Sequence, residues 1–288
     1  MLIQTKSSAL AEEFDLEHHG EIQVISGFSL PGNAKPGAVL WTKTTEIFDS
    51  VSKGVLIAPA EFRYREKHSE VTYLFSEKSP RLIFAKILAE YFAHLIHDDF
   101  NNCVIQHRAN SKIKIGDNVF IAENVKIGDG TIIHHNVCIY GGSKIGENCV
   151  IGANSSISTV GMGLEYDGGE IISFPQLGGV NLEDGVEIGP QSTVRRGAIV
   201  DTIIKSEAKI GAFCNIGHNS IIGSQSILTC NIVIGGSAQI GFRNYIGVGA
   251  SIKNKVLTGD NVTVAMGAVV VSNIPEGQTV MGVPAKIK

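Results

Sequence analysis

Positive charge is not in excess in this chain. Its 288 residues carry 24 Lys and Arg against 28 Asp and Glu, a formal net charge of −4. That balance gives no electrostatic reason to expect a nucleic-acid partner. No apolar run approaches the ~20 residues a membrane-spanning helix needs, so no membrane span is expected. The opening stretch, MLIQTKSSALAEEF, lacks the apolar centre of a secretory signal. Cysteine is sparse. The five cysteines (103, 138, 149, 214 and 230) are odd in number and form no CxxC. They read as reduced thiols in a cytoplasmic protein, not as a disulfide framework.

Glycine, by contrast, is abundant at 33 residues, and a repeat accounts for it. Stepping by six from Ile115 meets isoleucine at 121, 127, 133, 139, 145, 151 and 157. Stepping by six from Ile204 meets Ile, Leu or Val as far as Val270, with Thr258 the one break. Leu182, Ile188 and Val194 keep the step between the two series. A glycine often follows the aliphatic residue, as at Gly217, Gly223 and Gly235, and a small or β-branched residue recurs four positions after it. No helix has a period of six. A parallel β-helix of short flat strands does, with Gly or Asn at its corners. Three strands make a coil, so residues eighteen apart stack about 4.8 Å apart. Cys149 and Cys214 fall on inward positions of this repeat.

Residues 1–100 lack the step and read as a small α/β domain. EIQVISGFSL, AVLWT and GVLIAP are expected strands. SPRLIFAKILAEYFAHLI is an expected amphipathic helix, with Ser79 placed to cap it, Pro80 at its first position and a stripe of Leu82, Ile83, Ile87, Leu88, Tyr91, Phe92 and Leu95. The β-helix is expected over 101–275, beginning near Cys103, with a tail over 276–288. Two stretches interrupt it. TVGMGLEYDGGEIISFPQLGGV, from Thr159 to Val180, is too irregular for repeat and is expected to protrude as a loop that could carry binding residues. In VRRGAIVDTI the step from Val194 to Ile204 is ten, so four extra residues bulge one corner.

One coil carries a chemically capable residue, the His218 of CNIGHNSIIG, and eighteen residues on stands Gly236. The register alone therefore couples the two. Here the chain resembles the hexapeptide-repeat acyltransferases. Four stretches in order, FPQLGGVNLEDGVEIG, RRGAIVDTII, IGHNSIIG and IGGSAQIG, are similar to UDP-3-O-(3-hydroxyacyl)glucosamine N-acyltransferases, as is SPRLIFAKILAEYF. The resemblance implies a left-handed coil, which the usual right-handed crossover rule would not have suggested. It also implies a homotrimer with sites in the clefts between coils. It makes His218 the general base, suited to the task because imidazole titrates near neutrality. It makes the backbone amide of Gly236 the donor to the oxyanion. Asn219, from the same motif, is expected at the substrate.

Departures from that family point to a different substrate. The family's C-terminal helical extension is not matched, and IPEGQTVMGVPAKIK looks like hexapeptide transferases that use coenzyme A. Lys255 stands for a second histidine, Arg195 for an aspartate, and Gly211 and Ala212 for an Asp-Asn pair. The family's uridine contacts correspond to Leu40, Trp41, Lys43 and Thr44, so Trp41 is expected to stack on a base and Lys43 to meet a phosphate. Lys253, Lys255, Arg243, Lys286 and Lys288 are candidate partners for the phosphates of coenzyme A, and Gly249 and Gly267, eighteen apart, could open a groove for its pantetheine arm.

The first reading is thus an N-acyltransferase that moves an acyl group from a thioester, acyl-CoA favoured, to the amino group of a nucleotide-linked sugar for surface polysaccharide. No bound cofactor is expected, the acyl donor being a cosubstrate. The second reading is the lipid A enzyme itself, using a hydroxyacyl carrier protein. A third, of another class, is a non-catalytic trimeric β-helix scaffold, and the His218–Gly236 pair argues against it. His134 and His135 lie in a repeat without the motif. No metal is expected, because zinc-binding relatives of this repeat need a histidine pair five residues apart, and Phe213 and Gly223 occupy those places around His218.

Overall fold

Inward isoleucines set the architecture. A computed structural model describes residues 5–95 and 112–288. The expected domain boundary at 100, Cys103, His97 and His107 lie outside the described residues. From Lys114 onward most strands are two residues long, and each pairs in parallel with the strand one coil away: Asn215–Ile216 with Val233–Ile234, and that with Ser251–Ile252. Among the described residues the coils build three parallel faces of eight, six and ten strands, the last closed by an antiparallel pair. The fold is a left-handed β-helix. Its core is a column of aliphatic side chains stacked on their own kind. Ile121, Ile139, Ile157, Val194, Ile216, Ile234 and Ile252 follow one another down the eight-stranded face, each at most 2 % exposed. Cys149 and Cys214 point inward and are buried, as their repeat positions require. The odd inward residue, Thr258, is matched by a buried polar partner: its Oγ1 accepts from Asn244 Nδ2 at 2.5 Å. A lone inward hydroxyl would be costly, and a paired one is not.

The corners differ from the sequence expectation. The left-handed backbone falls three residues after the inward aliphatic, at Asn219 (φ +58°), Asn231 (φ +59°) and Asn261 (φ +55°), but also at Phe213, Ser237, Arg243 and Lys255. Asparagine tolerates this region, so it is common there. The glycine directly after the aliphatic has another cause. A Cβ on Gly217 would lie 2.6 Å from the backbone nitrogen of Gly236 in the next coil. Close stacking of coils demands it.

Chain contacts divide the molecule into two units, and the second unit includes Gln176–Lys288. The first unit takes the N-terminal region to Leu95 together with Met162–Pro175. Its sheet runs Glu17–His19, Val71–Ser76, Gly54–Pro59, Ala38–Trp41 and Gly27–Phe28, antiparallel at the first pairing and parallel thereafter. VTYLFS, unremarked in the sequence, is a fully buried strand here, whereas only Gly27–Phe28 of EIQVISGFSL is strand. Helix Pro80–Phe92 buries Leu82, Ile83, Ile87, Leu88 and Phe92 of the expected stripe; Ser79 holds the N-cap position without a side-chain bond.

Met162–Pro175, expected as an irregular loop, is a β-hairpin: Leu164–Asp167 pairs with Glu170–Ser173 across Gly168 and Gly169. It belongs to the first unit, where Asp167 bridges Lys78 and Lys86, and Phe174 lies under Arg81 and against Phe84. The last residues carry strands as well. Thr279–Gly282 pairs with Thr263–Val264 and turns back on Ala285–Ile287. Among the described residues no helix is long and apolar enough to cross a membrane.

Candidate active site

His218 follows the strand Asn215–Ile216 and stands at a corner of the coil, half-buried. Its ring lies between two glycines. A Cβ on Gly236 would sit 2.6 Å from Nε2, and a Cβ on Gly161 would sit 2.9 Å from the His218 Cβ and 3.2 Å from Cδ2. Any side chain at either place would displace the imidazole. Gly236 was expected from the register. Gly161, in TVGMG, was not singled out, because no spacing rule links it to His218.

Asn219 fixes the ring's tautomer. Its Oδ1 accepts the backbone N–H of Ala198 at 3.0 Å, and its Nδ2 donates to the carbonyl of Val200 at 3.0 Å. Those two bonds settle which end of the amide is oxygen. The same Oδ1 is 2.9 Å from His218 Nδ1, so Nδ1 is the protonated nitrogen of the neutral ring. Nε2 is left with its lone pair beside Gly236. Asn219, expected at the substrate, has its amide engaged within the chain, where it orients the histidine.

The bulge supplies this cradle. Ala198 and Val200 lie in the four extra residues between Val194 and Ile204, and Thr202, just after them, accepts the Asn219 N–H on Oγ1 at 2.8 Å. A corner of ordinary length would present none of these groups. The bulge is itself held: Asp201 Oδ1 accepts the Gly179 N–H at 2.8 Å, and Arg196, 2 % exposed, donates to the carbonyls of Gly178 and Gly141 at 2.9 and 3.0 Å.

The stacked coil brings the other expected groups to hand in part. Gly236 N–H has no hydrogen-bond partner among the described residues, while its carbonyl accepts from Lys255 N at 3.0 Å. The side chain in the column of His218 and Gly236 is that of Asn254, not Lys255: residues eighteen apart pair throughout these coils, and Lys255 takes the next position, the left-handed corner (φ +63°). Lys253 and Lys255 are exposed. Gly249 (φ +72°) and Gly267 (φ +67°) are left-handed corners with open space where a Cβ would stand. Arg243 is engaged by Gln225 Oε1 at 2.7 Å and lies over the ring of Phe242. Trp41 ends the strand Ala38–Trp41, half-buried, and Lys43 is exposed just after it; both are in the first unit. His134 and His135 are exposed, and His135 Nδ1 accepts the Asp117 N–H at 2.8 Å. Among the described residues no three His, Cys, Asp or Glu side chains are grouped to hold a metal.

A left-handed β-helix of hexapeptide repeats with an oriented histidine at one corner defines the class: the chain is a hexapeptide-repeat protein. The family described as bacterial transferase hexapeptide (six repeats) matches residues 124–159. In particular, the chain resembles the UDP-3-O-acylglucosamine N-acyltransferases. It is 32% identical over 127 residues to the one from Herminiimonas arsenicoxydans, a match covering 44% of this chain and 36% of that protein. With the one from Bordetella parapertussis it shares 36% identity over 110 residues, 38% of this chain and 30% of the relative. The matches thus span about a third of the length of these relatives. Among solved structures, LpxA from Acinetobacter baumannii superposes with a TM-score of 0.55 at 24% identity, covering 62% of this chain and 67% of that one. UDP-N-acetylglucosamine acyltransferase from Campylobacter jejuni gives 0.53 at 21%, covering 62% and 71%. At that identity these two speak for the fold.

Proposed function

We propose that this chain is an N-acyltransferase that moves an acyl group from a phosphopantetheine thioester to the amino group of a UDP-linked 3-O-acylglucosamine. The observation that carries the reading is the arrangement at His218, whose Nδ1 is held by Asn219 and whose Nε2 lies against Gly236, a residue whose N–H has no hydrogen-bond partner among the described residues. His218 takes the proton from the attacking amine. The Gly236 N–H stabilises the oxyanion formed on the thioester carbonyl, and the absence of a side chain there leaves room for that carbon. The tetrahedral adduct then collapses. The carbon–sulfur bond breaks, and the proton on His218 passes to the departing thiolate.

The sequence reading put a simple amino sugar of surface polysaccharide first and the lipid A acceptor second. The names of the relatives reverse that order and favour the second. The donor is a hydroxyacyl thioester on carrier protein or on coenzyme A. Both end in the same phosphopantetheine arm, and both belong in the test. Trp41 and Lys43 remain assigned to the nucleotide, Lys253, Lys255, Gly249 and Gly267 to the donor's phosphates and arm, and the working assembly is a homotrimer.

The experiment is thiol release with 3-hydroxyacyl carrier protein, 3-hydroxyacyl-CoA and acetyl-CoA against UDP-3-O-acylglucosamine and simpler UDP- and dTDP-linked amino sugars. Turnover restricted to the simpler sugars would restore the polysaccharide reading. No turnover with any pair, together with His218→Ala unchanged in fold, would support a scaffold.

A further inference from the structure

The bulge that holds Asn219 also sets two consecutive arginines to opposite tasks. Arg196 turns inward onto backbone carbonyls. Arg195, at the end of the strand Thr193–Arg195, turns outward and is half-buried. Its Nε donates to Asn215 Oδ1 at 3.3 Å, and its Nη1 donates to the carbonyl of Val160 at 3.1 Å. Both ties lead to His218. Asn215 opens the two-residue strand that delivers His218, and Val160 precedes Gly161, whose backbone lies against the imidazole. The guanidinium is thereby tied to the strand that leads to the candidate base and to the segment that abuts it.

Its surroundings leave the charge unanswered. Among the described residues no carboxylate is within ion-pair distance of Arg195, and both of its hydrogen-bond partners are neutral oxygens. Along this face the outward strand residues run Cys138, Ser156, Thr193, Asn215, Val233 and Ser251, none of them charged. A guanidinium has five N–H donors in a rigid fork, and two are used here. Holding so long a side chain in one place carries an entropic cost, and water alone does not require it.

We propose that Arg195 is an anion-binding residue of this face and takes a phosphate group of a substrate. The chemistry is that of a phosphate oxygen pair on a planar fork. Two substrate phosphates qualify: the diphosphate of the acceptor nucleotide and the phosphates of the phosphopantetheine donor. This inference rests on the acyl-transfer reading of the His218 site.

The test is calorimetric affinity for UDP and for coenzyme A, each beside its phosphate-free counterpart, uridine and pantetheine. Proteins are the wild type, Arg195→Gln and Arg195→Lys, with thermal melting as the fold control. A charge-assisted bond of this kind corresponds to about tenfold to hundredfold in affinity. Arg195→Gln is expected to weaken either UDP or coenzyme A by that factor and to leave uridine and pantetheine unchanged, and Arg195→Lys to recover part of the loss. Which phosphate ligand weakens identifies the source. Equal loss for a ligand and its phosphate-free counterpart, or no loss for either phosphate ligand, overturns the proposal. Thiol release by His218→Ala, measured in parallel, separates the two claims: if that variant keeps wild-type turnover, the underlying site reading fails whatever Arg195 does.

Discussion

Replacing Gly236 with alanine should destroy acyl transfer while sparing the fold. The added Cβ would lie 2.6 Å from His218 Nε2, 2.9 Å from Cε1 and 3.0 Å from Cδ2, all well inside van der Waals contact. The imidazole must give way, since the coil backbone is locked by its ladder. It has little freedom to do so. Gly161 abuts its other side, and Nδ1 is tied to an Asn219 that is itself tied to Ala198 and Val200. Rotation breaks the 2.9 Å bond to Asn219 and turns Nε2 away from Gly236. Loss of a positioned base costs about 10²–10⁴ in rate, or about 3–5 kcal/mol of barrier. The ring is at a half-buried corner, so the melting temperature should move by no more than a few degrees. The assay is kcat for thiol release beside thermal melting. A variant that melts normally and retains kcat within about threefold would refute the geometry assigned to the base. A variant that loses tens of degrees would show that the clash falls on the coil instead of the histidine.

Other outcomes follow from the same contacts. Thr202→Val keeps shape but leaves the part-buried Asn219 N–H without its 2.8 Å acceptor; urea denaturation should show a loss of about 1 kcal/mol, and kcat should fall as the cradle loosens. Ile222→Ala empties a fully buried step of the core column, and about 2–5 kcal/mol should be lost in the same assay. Burial pushes the Cys149 and Cys214 thiols up from their ordinary pKa, so both stay protonated and shielded at pH 8, whereas Cys230 is exposed. Titration with a disulfide reagent should therefore lose a fast-reacting thiol in Cys230→Ser and none in Cys149→Ser or Cys214→Ser. Fast reaction of either buried thiol would mean that the coils open locally.

The coil was legible because its driving force is periodic. A side chain that must point inward every sixth residue leaves Ile, Leu or Val at nearly every step of each series, and the one break, Thr258, is paired with the buried Asn244. The hand of the coil was not legible, since a step of six fits either hand, and the left-handed corners are held by Phe213, Arg243 and Lys255 as well as asparagine. The hairpin after Gly161 had a signal that went unread: Asp167, Gly168, Gly169 and Glu170 between alternating apolar residues are turn chemistry. His218 and Gly236 could be paired from their eighteen-residue spacing. What holds His218 could not be, because Ala198 and Val200 act through backbone groups, which no sequence motif marks. The four-residue insertion was visible, yet its purpose depends on where its carbonyls and amides point. Asn219 shows the same limit: its identity fits a substrate contact, and only the positions of its neighbours show that its amide also holds the histidine.

The most direct test is the rate of thiol release from 3-hydroxyacyl carrier protein and 3-hydroxyacyl-CoA in the presence of UDP-3-O-acylglucosamine, for the wild type and for His218→Ala at matched thermal stability. The account predicts acceptor-dependent release by the wild type and a loss of about 10²–10⁴-fold in the variant. Equal release by the two proteins, or release that ignores the acceptor, would contradict it.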